Sequence, residues 1–228
     1  MTRQLVLELT PPPTPVFENF VPGRNRAALE TLRAVAMGES ADEVIYVWGE
    51  PGSGRSHLLE AAVRAARAAG RAATLVRAGE GIPPVAASND AALVAVDEAD
   101  ALDAAAQIAA FDLFNTLRAR RAAFVATGSA PPHRIAVLED LRTRLASGLV
   151  FELLALPEAD KRATLRTHAI ARGMALGDDV VEYLLTRLRR DLGTQLAVLD
   201  ALDRYSLAQK RAVTLPLVRE ALDALALR

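Results

Sequence analysis

Two hydrophobic periods alternate through the first two thirds of the chain. Near-continuous apolar runs bounded by turn residues occur at 44–48 (VIYVW), 73–77 (ATLVR), 92–96 (ALVAV), 122–127 (AAFVAT) and 149–154 (LVFELL). A strand covered on both faces has no polar side to alternate with, so these runs predict buried parallel strands. Between them, apolar residues recur at helical spacing over 26–37, 56–69, 104–119 and about 135–146. Strand and helix in alternation predict an α/β domain, a doubly wound parallel sheet of five strands with flanking helices. After Leu156 the strand signals stop, and amphipathic helices are predicted over 158–172, 178–190, 192–208 and 215–227. Leu192, Leu196, Leu199 and Leu202 form one apolar stripe suited to helix packing. The change near Pro157 predicts a boundary between an α/β domain at 16–156 and a small all-helical domain at 157–228.

The N-terminus has a pattern of its own. In QLVLEL, residues 4–9, Leu5, Leu7 and Leu9 alternate with Val6 and Glu8, the period of a half-buried strand. Pro11, Pro12, Pro13 and Pro15 then stiffen the chain and remove backbone donors, which fences the hexapeptide off at 1–15. On these residues alone it is either an edge strand of the domain's own sheet or a peptide held out for a partner.

Composition narrows the classes. Of 228 residues, 51% are hydrophobic, ample for a sizeable core. The formal net charge of −1 supplies no global basic field for duplex nucleic acid. The absence of cysteine excludes disulfides and cysteine-based zinc sites, and suits a reducing compartment. No secretory or membrane-length apolar run is present, so a soluble cytoplasmic protein without a membrane partner is expected.

Chemistry concentrates after the first strand. The stretch GEPGSGRSHLL, residues 49–59, fits the phosphate-loop spacing GxxxxGK[ST] except that Arg55 replaces lysine. Gly49, Gly52 and Gly54 permit the backbone to wrap a phosphate at the N-terminus of the next helix, and Ser56 is placed to ligate Mg²⁺. Arg55 keeps the positive charge, but a planar fork does not replace a compact ammonium at the β and γ phosphates, which favours nucleotide binding over fast hydrolysis. The third strand ends in Asp97 and Glu98, at the strand edge where ligands of open α/β sheets bind. There Asp97 can hold Mg²⁺ through water and Glu98 can polarise an attacking water. Thr127 ends the fourth strand and is expected between the two motifs. A simple turn hydroxyl is the plainer alternative.

Together these residues resemble the DnaA-related branch of AAA+ P-loop NTPases. FENFVPGRN at 17–25 is similar to the segment that opens that module, GRSHLL with His57 to its loop exit, and FDLFNTL at 111–117 to its helix after the acidic motif. TGSAPPHRIAVLEDLRTRLASGLVFEL at 127–153 is similar to its stretch from polar sensor to last strand. The resemblance covers nearly the whole chain. It is nearer to the Hda regulators than to DnaA, because the sequence stops after the helical lid and DnaA's helix-turn-helix domain is not seen.

The resemblance implies an AAA+ fold with a helical lid, a bound ADP or ATP with Mg²⁺, His57 at the nucleotide site, and DnaA as partner. It also implies that Gln4, Leu5, Leu7 and Leu9 dock on the DNA polymerase III β sliding clamp, through which DNA would mainly be met in the nucleoid or replisome. Glu8 stands where the family often has proline. Arg144 aligns with an arginine finger that completes a neighbour's ATP site, whereas Arg142 reads as an ion-pairing surface residue. Gly193 occupies the position of the family's lid arginine, with Arg189 and Arg190 nearby. The function implied is inactivation of DnaA by stimulating hydrolysis of its bound ATP in trans, which prevents re-initiation. A self-acting ATPase of helicase-loader type is the rival that Asp97 and Glu98 keep open, and self-association into a homo-oligomer is left undecided.

Overall fold

The computed structural model describes residues 13–82, 91–188 and 191–224. The hexapeptide with Gln4, Leu5, Leu7 and Leu9 lies outside the described residues, as do Arg189 and Arg190. The chain divides into two compact units, one spanning Pro15–Ala155 and the other beginning at Leu156.

The first unit holds strands β1 (Val44–Gly49), β2 (Ala73–Arg77), β3 (Leu93–Asp97), β4 (Ala123–Gly128) and β5 (Leu149–Leu153). They form one sheet in the order β2-β3-β4-β1-β5, every neighbouring pair parallel. Helices α1 (Arg26–Met37) and α2 (Arg55–Ala68) contribute to one core, in which Leu32, Leu58, Leu59 and Val63 meet Ile45, Leu93 and Val125. Helices α3 (Ala104–Ala119) and α4 (Glu139–Leu145) build the other, where Leu113, Phe114, Leu117, Leu141 and Leu145 meet Tyr46, Val94 and Phe124. Each full-sized apolar side chain buried this way contributes roughly 1.5–3 kcal/mol. Packing of one face, rather than helix propensity, therefore holds these short helices.

Local chemistry closes the elements. Gly38 ends α1 in the left-handed region at φ 78°, and Arg71 donates from Nη1 to the last carbonyls of Val35 and Ala36, each at 2.6 Å. Asp103 caps α3 by accepting from the Ala106 amide at 2.8 Å. Asn25 joins the entry of α1 to the exit of β5: its side chain donates to the Leu154 carbonyl at 2.8 Å and accepts from the Leu154 amide at 2.9 Å.

Two expectations need correction. The sequence predicts a buried last strand, yet Leu149 and Val150 are 37% and 41% exposed, because among the described residues β5 is the edge of the sheet and only β1 pairs with it. The helix expected over about 135–146 is confined to Glu139–Leu145. Pro131 and Pro132 start a single 3-10 turn, Ile135 returns to extended backbone, and Gln107 of α3 accepts the Leu138 amide at 2.8 Å, so the chain is held straight until α4 begins.

The second unit contains α5 (Glu158–Ala171), α6 (Asp178–Arg187), α7 (Leu192–Gln209) and α8 (Leu215–Ala224). Leu165, Val181, Leu184, Leu199, Leu202, Leu217 and Val218 form its core, and Leu192 and Leu196 pack against it. Asp200 ties α7 to α5 by accepting from His168 at 2.6 Å and Arg172 at 2.9 Å. Among the described residues no helix is long and apolar enough to cross a membrane.

Candidate functional site

β1 feeds directly into the glycine loop and α2. Gly49 must lack a side chain, since a Cβ there would stand 2.4 Å from the Leu153 carbonyl oxygen of β5. Gly52 and Gly54 have φ of 83° and 100°, and Gly54 is the residue that precedes the first turn of α2. The first amides of α2 have no acceptor within their own helix, and the helix dipole adds about half a positive charge at that end. Two further polar groups at the loop are buried without a partner, Ser53 Oγ and Arg55 Nη1. Ser56 is exposed beside them. The loop therefore presents several hydrogen-bond donors and one guanidinium with unused capacity, the requirement of a bound anion.

His57, in the first turn of α2, faces back along the chain. Its Nε2 lies 3.0 Å from the Val16 carbonyl, which only accepts, so the proton sits on Nε2. Burial pushes the imidazole below its ordinary pKa, against smaller upward pulls from that bond and from Glu60. The Phe20 ring lies 5.5 Å from the imidazole, centre to centre, and fills the space beside Gly54.

The acidic edge is assembled across β3 and β4. Thr127 donates its hydroxyl to Asp97 Oδ1 at 2.5 Å and accepts the Glu98 amide at 2.9 Å. Thr127 and Asp97 are buried, whereas Glu98 is exposed with φ 54°, a left-handed conformation that non-glycine residues adopt at a cost. The Thr127 hydroxyl is thus a structural link between the two acidic positions and more than a turn hydroxyl.

Next to it lies a second network that the sequence did not single out. Tyr46, fully buried on β1, donates to the Ala130 carbonyl at 2.9 Å. Burial, then Asp100, push its phenol well above the usual range, with Arg55 pulling the other way, so the phenol stays a donor. Asp100 accepts from the Ser129 amide at 2.9 Å and from the Ser129 hydroxyl. Gly128 is required here because a Cβ would fall 1.9 Å from the Tyr46 oxygen. The only advance signal was the repeated acid in DEAD at 97–100; Tyr46 reads as an ordinary strand aromatic.

On α4, Arg142 pairs with Glu139, as expected for an ion-pairing surface residue. Arg144 behaves differently: its guanidinium carbon sits 5.6 Å from the Phe111 ring centre and 5.9 Å from that of Phe114, and its Nε has no hydrogen-bond partner. In the lid, Gly193 follows the α7 cap, where Asp191 accepts from the Thr194 amide at 2.7 Å. Among the described residues a Cβ at Gly193 would meet only Asp191 Oδ1, at 3.7 Å.

Comparison with known proteins is consistent with this arrangement. Residues 158–222 match the family model "Hda, lid domain". Domain III of the replication initiation protein DnaA from Thermotoga maritima superposes with a TM-score of 0.75 at 19% identity, over 95% of this chain and 98% of that one. AMPPCP-bound DnaA from Aquifex aeolicus gives 0.68 at 22% identity, over 89% of this chain and 69% of that one. A RuvB variant from Thermotoga maritima gives 0.65 at 14% identity, over 92% and 72%. The fold is that of AAA+ proteins, a five-stranded parallel sheet with flanking helices followed by a helical unit whose residues 158–222 match the Hda lid domain.

Proposed function

We propose that this protein holds a nucleotide as a structural element and regulates DnaA, stimulating hydrolysis of DnaA-bound ATP in trans and so restraining re-initiation of replication. The observation that carries the reading is the Hda lid match at 158–222 on a DnaA-like AAA+ fold. The residues present fit a nucleotide: Ser53 Oγ and Arg55 Nη1 are buried without partners at the loop, and the first amides of α2 are free of intrahelical acceptors. They also fit Mg²⁺ as its partial ligands. Among the described residues no group of three or more His, Cys, Asp or Glu could hold a metal ion, and Mg²⁺ is commonly held by one or two oxygen ligands plus phosphate and water. Ser56 and Asp97 supply such oxygens, and the ion would neutralise phosphate charge there. In this reading Arg55 grips phosphate as a fork, Asp97 is kept in place by Thr127, and Glu98 is the group available to orient water. ADP is the expected resident because the planar Arg55 fork does not reproduce the compact lysine ammonium at the β and γ phosphates.

Arg144 is proposed as the group offered to DnaA. Phe111 and Phe114 support its guanidinium, and none of the described carboxylates forms an ion pair with it. A positive group inserted into a neighbour's ATP site stabilises the charge that develops in phosphoryl transfer, worth roughly 10³-fold or more in rate. Gln4, Leu5, Leu7 and Leu9 are proposed to seat in a groove of the β sliding clamp, the stiff prolines after them lowering the entropy lost on docking. Clamp binding would concentrate the regulator at replicating DNA.

The test is hydrolysis of DnaA-bound ATP with DNA-loaded clamp, comparing the parent with Arg144→Ala and Gln4→Ala. Both variants are expected to lose most of the stimulation. Full stimulation by both would overturn the mechanism. The orderly Asp97–Thr127–Glu98 arrangement favours a second reading, a self-acting ATPase, and brisk hydrolysis by the isolated protein would favour it over the first.

A further inference from the structure

We propose that residues 16–20 are coupled to the phosphate loop, so that nucleotide occupancy sets how firmly the N-terminal arm is rooted, with Phe20 and His57 as the positioning residues. Residues 16–20 form a folded patch. Phe17–Asn19 make a 3-10 turn, Val16 donates its amide to Asn19 Oδ1 at 3.1 Å, and Phe17 is buried with the Arg33 guanidinium 5.3 Å from its ring centre. Two contacts fasten this patch to the loop exit. The Phe20 ring carbon Cε2 lies 2.6 Å from the place a Gly54 Cβ would take, so glycine and ring are matched in shape. The His57 Nε2–H donates to the Val16 carbonyl at 3.0 Å, and the Phe20 and His57 rings are tilted 47° against each other.

Gly54 and His57 flank the amides that would receive a phosphate. Gly54 holds the left-handed φ of 100° that turns the loop into α2, and His57 is the third residue of that helix. An anion bound to these amides favours the wound helix start, the state in which Phe20 and His57 have their partners. Without the anion the amides repel one another and the helix start frays more readily, which loosens both contacts. The coupling is a free energy shared by two sites and is reciprocal: a firm root favours nucleotide as much as nucleotide favours a firm root. Residues 1–15, with Gln4 and the leucines, precede that root in the sequence. The inference rests on the nucleotide-holding reading of the loop and adds its regulation of the arm.

The experiment uses the full chain with ADP and Mg²⁺. Amide hydrogen exchange over residues 16–20 is measured with and without nucleotide, together with ADP affinity by titration calorimetry for the parent, Phe20→Ala, His57→Ala and His57→Gln. ADP is expected to slow exchange in this patch of the parent by roughly tenfold or more. Phe20→Ala and His57→Ala are expected to weaken ADP by roughly 5- to 50-fold and to lose the nucleotide-dependent protection. His57→Gln, whose amide can still donate to Val16, is expected to keep most of both. A parent that binds ADP with unchanged exchange at 16–20, or alanine variants with parental ADP affinity, overturns the coupling alone. A parent that binds no ADP overturns the nucleotide reading and the coupling with it. Should Phe20→Ala fail to fold, the parental exchange and the His57 pair decide the question.

Discussion

Replacing Thr127 by valine tests the link between the two acidic positions with almost no change in shape. Thr127 is 1% exposed, and its hydroxyl both donates to Asp97 at 2.5 Å and accepts from the Glu98 amide at 2.9 Å. Valine removes one hydrogen bond to a charged group, about 1.5–3 kcal/mol, and one backbone bond, about 0.5–1.5 kcal/mol, for a combined loss of roughly 2–4.5 kcal/mol. Serine keeps both bonds and removes one methyl group, a loss of roughly 0.8–1 kcal/mol. The assay is urea unfolding followed by tryptophan fluorescence. The chain has a single tryptophan, Trp48, and it stands opposite Gly128 in the β1–β4 register, one residue beyond Thr127. The signal therefore reports on the unit that contains the change. Thr127→Val should lower the midpoint well below that of Thr127→Ser at unchanged slope, and a cycle with Asp97→Asn should show a coupling of about 1–3 kcal/mol. Valine as stable as serine to within about 0.5 kcal/mol would refute the assignment of the hydroxyl as a structural link.

Three further outcomes are expected. Burial holds His57 below its ordinary pKa of 6.5, so the unfolded chain takes up the proton first; the contribution is intact above about pH 6.5 and is lost as pH falls through the lower folded value. Thermal unfolding of the parent should lose stability relative to His57→Gln over that acidic window, and parallel curves would contradict the shift. Asn25→Ala should cost roughly 2–3 kcal/mol in urea unfolding because it strips both the Leu154 amide and carbonyl of a partner, and Asn25→Asp should not rescue it, since a buried carboxylate oxygen would then face the Leu154 carbonyl oxygen. Arg55→Lys should raise the protein's own steady-state ATP hydrolysis several-fold, measured by phosphate release, if the fork is what makes the loop grip without turnover; an unchanged rate would place that limit elsewhere.

What the sequence made legible depended on whether the physical requirement was local. The strands announced themselves because burial on two faces demands uninterrupted apolar residues, and the glycine loop because Gly52 and Gly54 answer to backbone needs within a few residues of one another. Edge position is different. LVFEL has the same texture as LVAVD, and only the order of strands leaves Leu149 and Val150 uncovered while β3 is buried throughout. The start of α4 was missed for a similar reason, since the amide of Leu138 is held by Gln107, a residue thirty-one positions away. The candidate site divides along the same line. Asp97, Glu98 and Thr127 end strands, and the parallel topology brings strand ends together. The Val16–His57 bond uses a backbone carbonyl, which carries no residue type for a pattern to register.

Gly193 extends this reasoning to an absence. Among the described residues its Cβ position meets nothing closer than 3.7 Å, so their packing around the first turn of α7 does not impose glycine there. Residues that sterics demand, such as Gly49 and Gly128, cannot be read as chemical choices; Gly193 can. By the resemblance, Arg55 and Gly193 stand where the family carries the lysine and the lid arginine associated with turnover. On the proposed reading the catalytic burden then moves to Arg144, whose guanidinium is held by two aromatic rings with Nε left unpartnered. Installing the absent group separates the two roles: Gly193→Arg should tighten nucleotide in this chain while leaving Arg144-dependent stimulation of DnaA intact. Loss of that stimulation with nucleotide still bound would mean that Gly193 itself serves the contact with the partner.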